Sequence, residues 1–333
     1  MITIIGCYYY LGRVNFFMRY EKKRQEKKVK RKRRKSLLKT TVLLLVLLMA
    51  VTFGYAYFQY KQGMNHAKEK TTIEQEVFTF NGEKDKYGGT NILLIGSDSR
   101  GEESARSDTI MIAQYHPKKH SYKLISIMRD SYVEIPNYGK NKINAAFALG
   151  GPELLRQTIK KNFNVDVKYY AIVDFDGFIH LIDEAFPNGV EIEVEKEMSA
   201  FLDIPLKPGL QRLDGAHLLS YVRFRYDAMG DFDRVKRQQK AMKEVANQFA
   251  SFQTLSKLPK LVGVMKPYVN TNMDTSDIIY IGKDYLSKDN RNINTFRIPV
   301  DGMFETDRIS GIGEVLILDS EANADALGEF LAK

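Results

Sequence analysis

Cysteine is almost missing from this chain: Cys7 is the only one in 333 residues. It precedes every segment read below as folded, so the remainder has neither a disulfide framework nor a thiol nucleophile. The common catalytic signatures are missing as well. There is no Gly-x-Ser-x-Gly elbow, no Walker loop and no His-Glu-x-x-His helix. His116, His120, His180 and His217 lack close metal-ligand spacing, so each reads as a surface or packing residue. Internal repeats, low-complexity stretches and a helix-turn-helix pattern are also lacking. Finally, most of the chain has no basic excess. Residues 1–39 hold 14 Lys/Arg against two Glu, whereas residues 40–333 hold 36 basic and 39 acidic residues. A nucleic-acid surface on the folded part is therefore not expected, and the tail alone could supply only nonspecific binding.

Between Lys39 and Lys61 lie 21 residues without a charge, TTVLLLVLLMAVTFGYAYFQY. As a helix they span about 31 Å, the thickness of a bilayer core. A signal peptide is usually shorter in its apolar part, and a buried helix is seldom apolar all round for this length. Residues 40–60 are thus expected to be a transmembrane helix. The run KKRQEKKVKRKRRK before it marks the cytoplasmic side and suits anionic lipid, while Tyr55, Tyr57, Phe58 and Tyr60 suit the far interface. This predicts a cytoplasmic tail over 1–39 and an exterior location for everything after residue 60. Residues 1–17 are aromatic-rich but too short to span, and MRYEKKR from Met18 reads as a natural start.

Residues 61–88 are polar and end in Tyr87-Gly88-Gly89, which predicts a tether. One folded domain is expected over 89–333. NILLIG (91–96), DTIMIAQY (108–115) and SYKLISIM (121–128) read as strands, the last two joined by a short connection. Gly-Gly-Pro opens a predicted helix at 152–162, followed by a strand at 167–175. Further helices are expected at 176–185, 214–222, 232–251, 256–266, 275–287 and 320–332, with strands at 190–195, 293–299 and 313–318. The alternation predicts an α/β fold: a three-layer α/β/α sandwich with a central mixed β-sheet, behind the membrane helix.

If the first three strands form an antiparallel meander, Asp98, Arg106, Asp108, Arg129 and Asp130 gather at one end of the sheet. Carboxylates suit a hard cation such as Mg²⁺, and Arg forks match phosphate oxygens, so together they predict a cation-bridged pyrophosphate site. A second group lies in YVRFRYDAMGDFDRVKRQQ. Arg223 and Arg225, two apart, point the same way in an extended segment. Arg234 and Gln238, four apart, share a helix face bordered by Arg237. The plainer reading is a solvated surface of paired charges, with Asp231 as a helix cap.

The segments GSDSRGEESARSDTIMI, SIMRD, KINAAFALGG and YVRFRYDAMGDFDRVKRQQ, in this order behind one membrane helix, closely resemble the LytR-CpsA-Psr family of cell-wall enzymes. The resemblance covers residues 88–240. It implies an α/β/α sandwich that transfers a teichoic acid-like or capsular glycopolymer from a polyprenyl-pyrophosphate carrier to peptidoglycan, releasing polyprenyl monophosphate. It also implies Mg²⁺ on Asp98 and Asp108, and pyrophosphate contacts from Arg106, Arg129, Arg223, Arg225, Arg234 and Gln238. Asp98, Asp108 and Arg129 are then the catalytic set, either Asp serving as base toward the acceptor hydroxyl, with the pyrophosphate departing from the anomeric carbon. Two departures stand out: Met128 where many members have Pro, and Asp233 where many have Gly. Lys142 reads equally as a phosphate contact and as a surface lysine. Two other readings stay open: a noncatalytic lipid-pyrophosphate binder, and an envelope-linked transcriptional attenuator, a label family members have carried.

Overall fold

A computed structural model describes residues 2–70, 76–97, 107–202, 204–226, 229–249, 252–287 and 292–333. By internal contacts the chain divides into two units, Met1–Phe58 and Gln59–Lys333. The first unit is helical as the initial part of α1 (Ile2–Lys70), and its Leu43, Leu44, Leu47 and Phe53 are exposed. Among the described residues, one helix is long and apolar enough to cross a membrane, and it contains the expected 40–60 run.

The second unit begins with the last turns of α1. Part of the stretch expected as a tether is helical here, and residues 60, 63, 64 and 67 turn inward at helical spacing. After β1 (Thr90–Ser97), β2 (Ser107–His116) and β3 (Ser121–Ile127) come the short β4 (Ser131–Ile135) and β5 (Gly139–Lys142). Then follow α2 (Asn144–Phe163), β6 (Tyr169–Asp174), α3 (Phe175–Ala185), β7 (Val190–Val194), β8 (Gly209–Leu213), α4 (Gly215–Arg223) and α5 (Asp231–Phe249). The chain continues through α6 (Phe252–Tyr268), β9 (Val269–Thr271), α7 (Thr275–Leu286), β10 (Ile293–Ile298), β11 (Phe304–Ile309), β12 (Gly313–Leu318) and α8 (Ser320–Ala332). Backbones approach closely where α1 meets α6: a Cβ on Gly63 would lie 2.2 Å from the Lys260 carbonyl oxygen, and one on Gly263 2.2 Å from that of Tyr60. Glycine is what allows this crossing.

The central sheet is mixed and ordered β10-β3-β2-β1-β6-β9. β1, β2 and β3 form the expected antiparallel meander, with Leu93 opposite Ile112 and Ile112 opposite Ile125. β6 runs parallel to β1, and β10 parallel to β3. One face of the sheet buries Leu93, Ile95, Ile112 and Ile125 against Leu155 and Ile159 of α2 and Leu327 and Leu331 of α8. The opposite face, with Leu94, Met111, Ala171 and Val173, looks toward α3, α4 and α5. Those are the three layers. Within α2, Gly150 and Gly151 break the helical backbone, and Pro152 opens the second segment as anticipated.

Five strands lie outside the sequence expectation: β4, β5, β8, β9 and β11. β4, β5, β11 and β12 make a second sheet, and β7 with β8 a third. These strands are short or exposed, and GKNK and FETDRI show no alternation of apolar residues to read. The second sheet matters for function because it grips the turn after β3. Leu316 N–H donates to the Asp130 carbonyl at 2.9 Å, and Ser131 N–H to the Met128 carbonyl at 3.1 Å. Met128 itself is buried against Val235 and Leu316, tying the end of β3 to α5. Proline there would remove the N–H that Met128 donates to the Ile298 carbonyl.

Candidate functional site

Two parts of the sequence converge at one end of the central sheet. From the meander come Asp108, at the start of β2, and Arg129 and Asp130, just past β3. From the far side come Arg223, the last residue of α4, then Arg225, and Asp231, Arg234 and Gln238 on α5. Arg223 is helical rather than extended, a departure from expectation, yet it and Arg225 line the same cavity. Asp98 and Arg106 lie outside the described residues; Ser97 and Ser107, which bound that connection, pair at this end of the sheet.

Arg129 is the centre of the first group. Its Nη1 donates to Asp108 Oδ1. Its Nε lies 3.6 Å from Asp130 Oδ2 and 4.0 Å from Asp231 Oδ1. Lys142 Nζ donates to Asp130 Oδ1 at 2.7 Å, so this lysine belongs to the site's charge network. Burial disfavours the Arg129 charge, but Asp108, Asp231 and Asp130 outweigh it and hold the guanidinium above its usual range.

Asp231 is the centre of the second group, within 2.7 Å of Arg234 Nη2 and 3.4 Å of Arg225 Nε. It sits inside the first turn of α5, where the helix dipole favours an anion, instead of capping from outside. Although these guanidiniums are at ion-pair distance, none is angled to hydrogen-bond the carboxylate. Among the described residues both Asp231 oxygens are buried without a hydrogen-bond donor, and Arg129 Nε and Arg234 Nε without an acceptor. Such groups are costly to bury, on the order of 1–3 kcal/mol each. Their convergence suits a polar ligand that supplies acceptors to the guanidiniums and, through its hydroxyls or bound water, donors to the carboxylate.

Arg234 is 6% exposed and donates to the Asp108 carbonyl at 3.3 Å, which joins the two groups. Burial lowers its pKa to about 10, with Arg129 and Arg225 acting in the same direction and Asp231 against them. It remains a cation at neutral pH. Gln238 Nε2 donates to Thr109 Oγ1 at 3.0 Å, and the Arg223 guanidinium lies 4.5 Å from the Phe175 ring centroid. Arg237 faces away from the site, donating to the Phe224 carbonyl at 2.5 Å. Asp233 is answered by Lys236 at 3.1 Å.

Behind this arginine-rich mouth is an apolar cavity of about 340 Å³, between the sheet and α3, α4 and α5. Leu94, Met111, Ala171, Phe178, Leu218, Val222 and Val245 line it. Sequence reasoning left this cavity without a lining, although one signal was present. Arg234, Gln238, Ala241, Met242 and Val245 follow helical spacing, so one face of α5 turns from charged to apolar along its length. Asp231 and Lys142 were undervalued because the contacts that tie them to the turn after β3, Asp231 to Arg129 and Lys142 to Asp130, form only in the folded chain.

Comparison with known proteins agrees with this architecture. The model of the LytR_cpsA_psr family matches residues 54–326. The Regulatory protein MsrR of Staphylococcus aureus is 41% identical over 277 residues, covering 83% of this chain and 84% of that protein. A Bacillus anthracis protein named polyisoprenyl-teichoic acid–peptidoglycan teichoic acid transferase TagU is 34% identical over 261 residues, covering 77% of this chain and 84% of that protein. The crystal structure of B. subtilis TagV superposes with a TM-score of 0.64 at 25% identity, covering 74% of this chain and 96% of that one. On the extent of the family match and the identity to MsrR, the chain belongs to the LytR_cpsA_psr family.

Proposed function

We propose that this protein transfers an anionic glycopolymer from a polyprenyl-pyrophosphate carrier to peptidoglycan, at the outer surface of a membrane to which α1 anchors it. The observation that carries the reading is the continuity of a mouth bearing Arg129, Arg223, Arg225 and Arg234 with an apolar cavity. A lipid-linked pyrophosphate has this polarity, an anionic head on a hydrocarbon tail. The name of the relative TagU points to the same reaction class. The basic tail before the apolar run supports a cytoplasmic N-terminus in this reading.

Release of polyprenyl monophosphate constrains the chemistry. Attack at the anomeric carbon would expel the lipid pyrophosphate, so the acceptor hydroxyl must instead attack the phosphorus bonded to the sugar. The new bond joins the acceptor oxygen to that phosphorus, and the bond from phosphorus to the bridging oxygen breaks. The lipid leaves as its monophosphate, and the hydroxyl proton passes to whichever carboxylate, Asp98 or Asp108, is not fully engaged with the metal. The guanidiniums of Arg106, Arg129, Arg223, Arg225 and Arg234 hold the phosphate oxygens and oppose the charge growing on the departing group. Gln238, steadied by Thr109, orients the head group. Phosphate oxygens compete with Asp108 for Arg129, which leaves that carboxylate able to accept the proton.

Asp98 and Asp108 would hold Mg²⁺. The fit is reasonable on donor chemistry: the titratable donors at the mouth are carboxylates, and Mg²⁺ commonly takes one or two of these plus phosphate oxygens and water. Among the described residues no cluster of three His, Cys, Asp or Glu stands ready as a complete cage. When bound, the ion supplies charge neutralisation at the phosphates.

The test uses the full chain in detergent with a synthetic polyprenyl-pyrophosphate oligosaccharide, Mg²⁺ and peptidoglycan fragments, followed by mass spectrometry. Polyprenyl monophosphate should appear together with sugar phosphate joined to the glycan. The Arg129→Ala variant should lose turnover by at least about a hundredfold while keeping its circular dichroism. Full activity in that variant would overturn the assignment. The name of MsrR favours a second, regulatory reading; tight lipid binding without release across donors would instead support a noncatalytic lipid-pyrophosphate binder over transfer.

A further inference from the structure

We propose that Phe201 and Tyr226 form a stacking platform for a pyranose ring beside the arginine-rich mouth. The inference rests on the reading of that mouth as a pyrophosphate site. A shallow second cavity shares Arg223 and Arg225 with the first and is otherwise lined by Ala200, Phe201, Leu202, Phe224, Tyr226 and Gly230. Phe201 is 93% exposed and Tyr226 70%. Their ring centroids are 5.6 Å apart at an interplanar angle of 53°.

The backbone is arranged to keep Phe201 outside. Ala200 and Leu202 pack against the buried cluster around Val194, Met198 and Leu206, so the chain is held on both sides of Phe201. Phe201 itself has a φ of 57°, in the left-handed region that a side-chain-bearing residue adopts only at a cost. A large apolar side chain is thus displayed in water, at a backbone cost, next to two ligand-facing arginines. Adjoining exposed aromatic rings rimmed by polar groups are a feature of ligand-binding grooves, and a strained backbone held at the same place points the same way.

A pyranose fits the chemistry of this groove. Its faces carry C–H bonds that lie well against aromatic rings, and its rim carries hydroxyls that Arg225, 48% exposed, can reach as a donor. Connectivity supplies the location: in a lipid-linked saccharide the first sugar is bonded directly to the pyrophosphate, so it must sit within one ring of the arginines that hold the phosphates. The acceptor glycan offers the same ring chemistry, and the experiment separates the two sources.

The full chain in detergent is titrated with a synthetic polyprenyl pyrophosphate, the same lipid bearing an N-acetylhexosamine disaccharide, a soluble peptidoglycan disaccharide-peptide, and phosphatidylglycerol vesicles. Wild type should bind the saccharide-bearing lipid more tightly than the bare lipid. Phe201→Ala and Tyr226→Ala should each remove roughly fivefold to tenfold of affinity for a saccharide probe while bare-lipid binding stays as in wild type. Tyr226→Phe should retain most of the stacking. Loss confined to the glycolipid assigns the platform to the donor sugar, and loss confined to the peptidoglycan fragment assigns it to the acceptor. Unchanged saccharide affinity in both variants, equal loss for bare and glycosylated lipid, or a loss seen only with vesicles would overturn the proposal. Failure of wild type to bind the bare lipid would instead defeat the pyrophosphate reading, and the platform with it.

Discussion

At the scale of single side chains, the site is a problem in charge balance. Arg129, Arg225 and Arg234 surround one carboxylate, Asp231, whose side chain is 12% exposed. Removing that negative charge leaves the largely buried guanidiniums of Arg129 and Arg234 facing each other, which is far worse than losing a surface pair. Asp231→Asn should lower stability by about 2–4 kcal/mol in urea unfolding. Added inorganic pyrophosphate should recover more of the thermal midpoint in the variant than in wild type, because an anion bound only by the folded state replaces the lost charge. Equal recovery in both proteins would mean that Asp231 does not share space with the anion. The residue types of this site were legible in the sequence, since Arg and Asp at these spacings suggest phosphate chemistry. Their partnerships were not, because Asp231 meets Arg129 only when α5 is laid across the end of β3.

At the scale of elements, a strap comprising residues 76–88 is clipped to α2. Glu153 accepts from Asn81 N–H at 2.9 Å, from Arg156 Nη2 at 2.7 Å and from Gln157 at 2.9 Å. Burial raises the pKa of Glu153, but these hydrogen bonds and the Arg156 charge prevail and carry it from 4.5 down to about 2. A carboxylate held lower when folded contributes stability above pH 4.5, and that contribution fades as pH falls toward 2. Allowing for solvent screening of a partly exposed group, it is worth roughly 1–2 kcal/mol. Glu153→Gln should therefore be less stable than wild type by that amount at pH 7, with the gap closing between pH 4.5 and 2 in urea titrations. A constant gap would show that packing, and not ionisation, is responsible. The meander and the main helices follow from apolar periodicity, which is a local property. The strands of the second sheet escape such reading because pairing with a distant neighbour, as Leu316 pairs with Ser131, confers their structure.

At the scale of the whole molecule, the apolar helix and the folded unit have separable physical tasks. A chain beginning at Gln59 should be soluble without detergent, fold, and bind pyrophosphate as the full chain does. One beginning at Thr71 should melt lower by roughly 5–10 °C, measured by circular dichroism, because Tyr60, Gly63 and Ala67 no longer cover α6. An unchanged midpoint would show that these turns are a passive extension of the apolar helix. By itself the sequence determined the long apolar helix, the antiparallel order of the first strands and the chemical character of the site, since hydropathy, periodicity and residue type act over short stretches. Tertiary structure alone decided that Arg129 and Arg234 share one mouth, that an apolar cavity opens behind it and that Phe201 stands in water beside it. Those features depend on which surfaces meet, and that is settled when the sheet, α4 and α5 bury their apolar faces together.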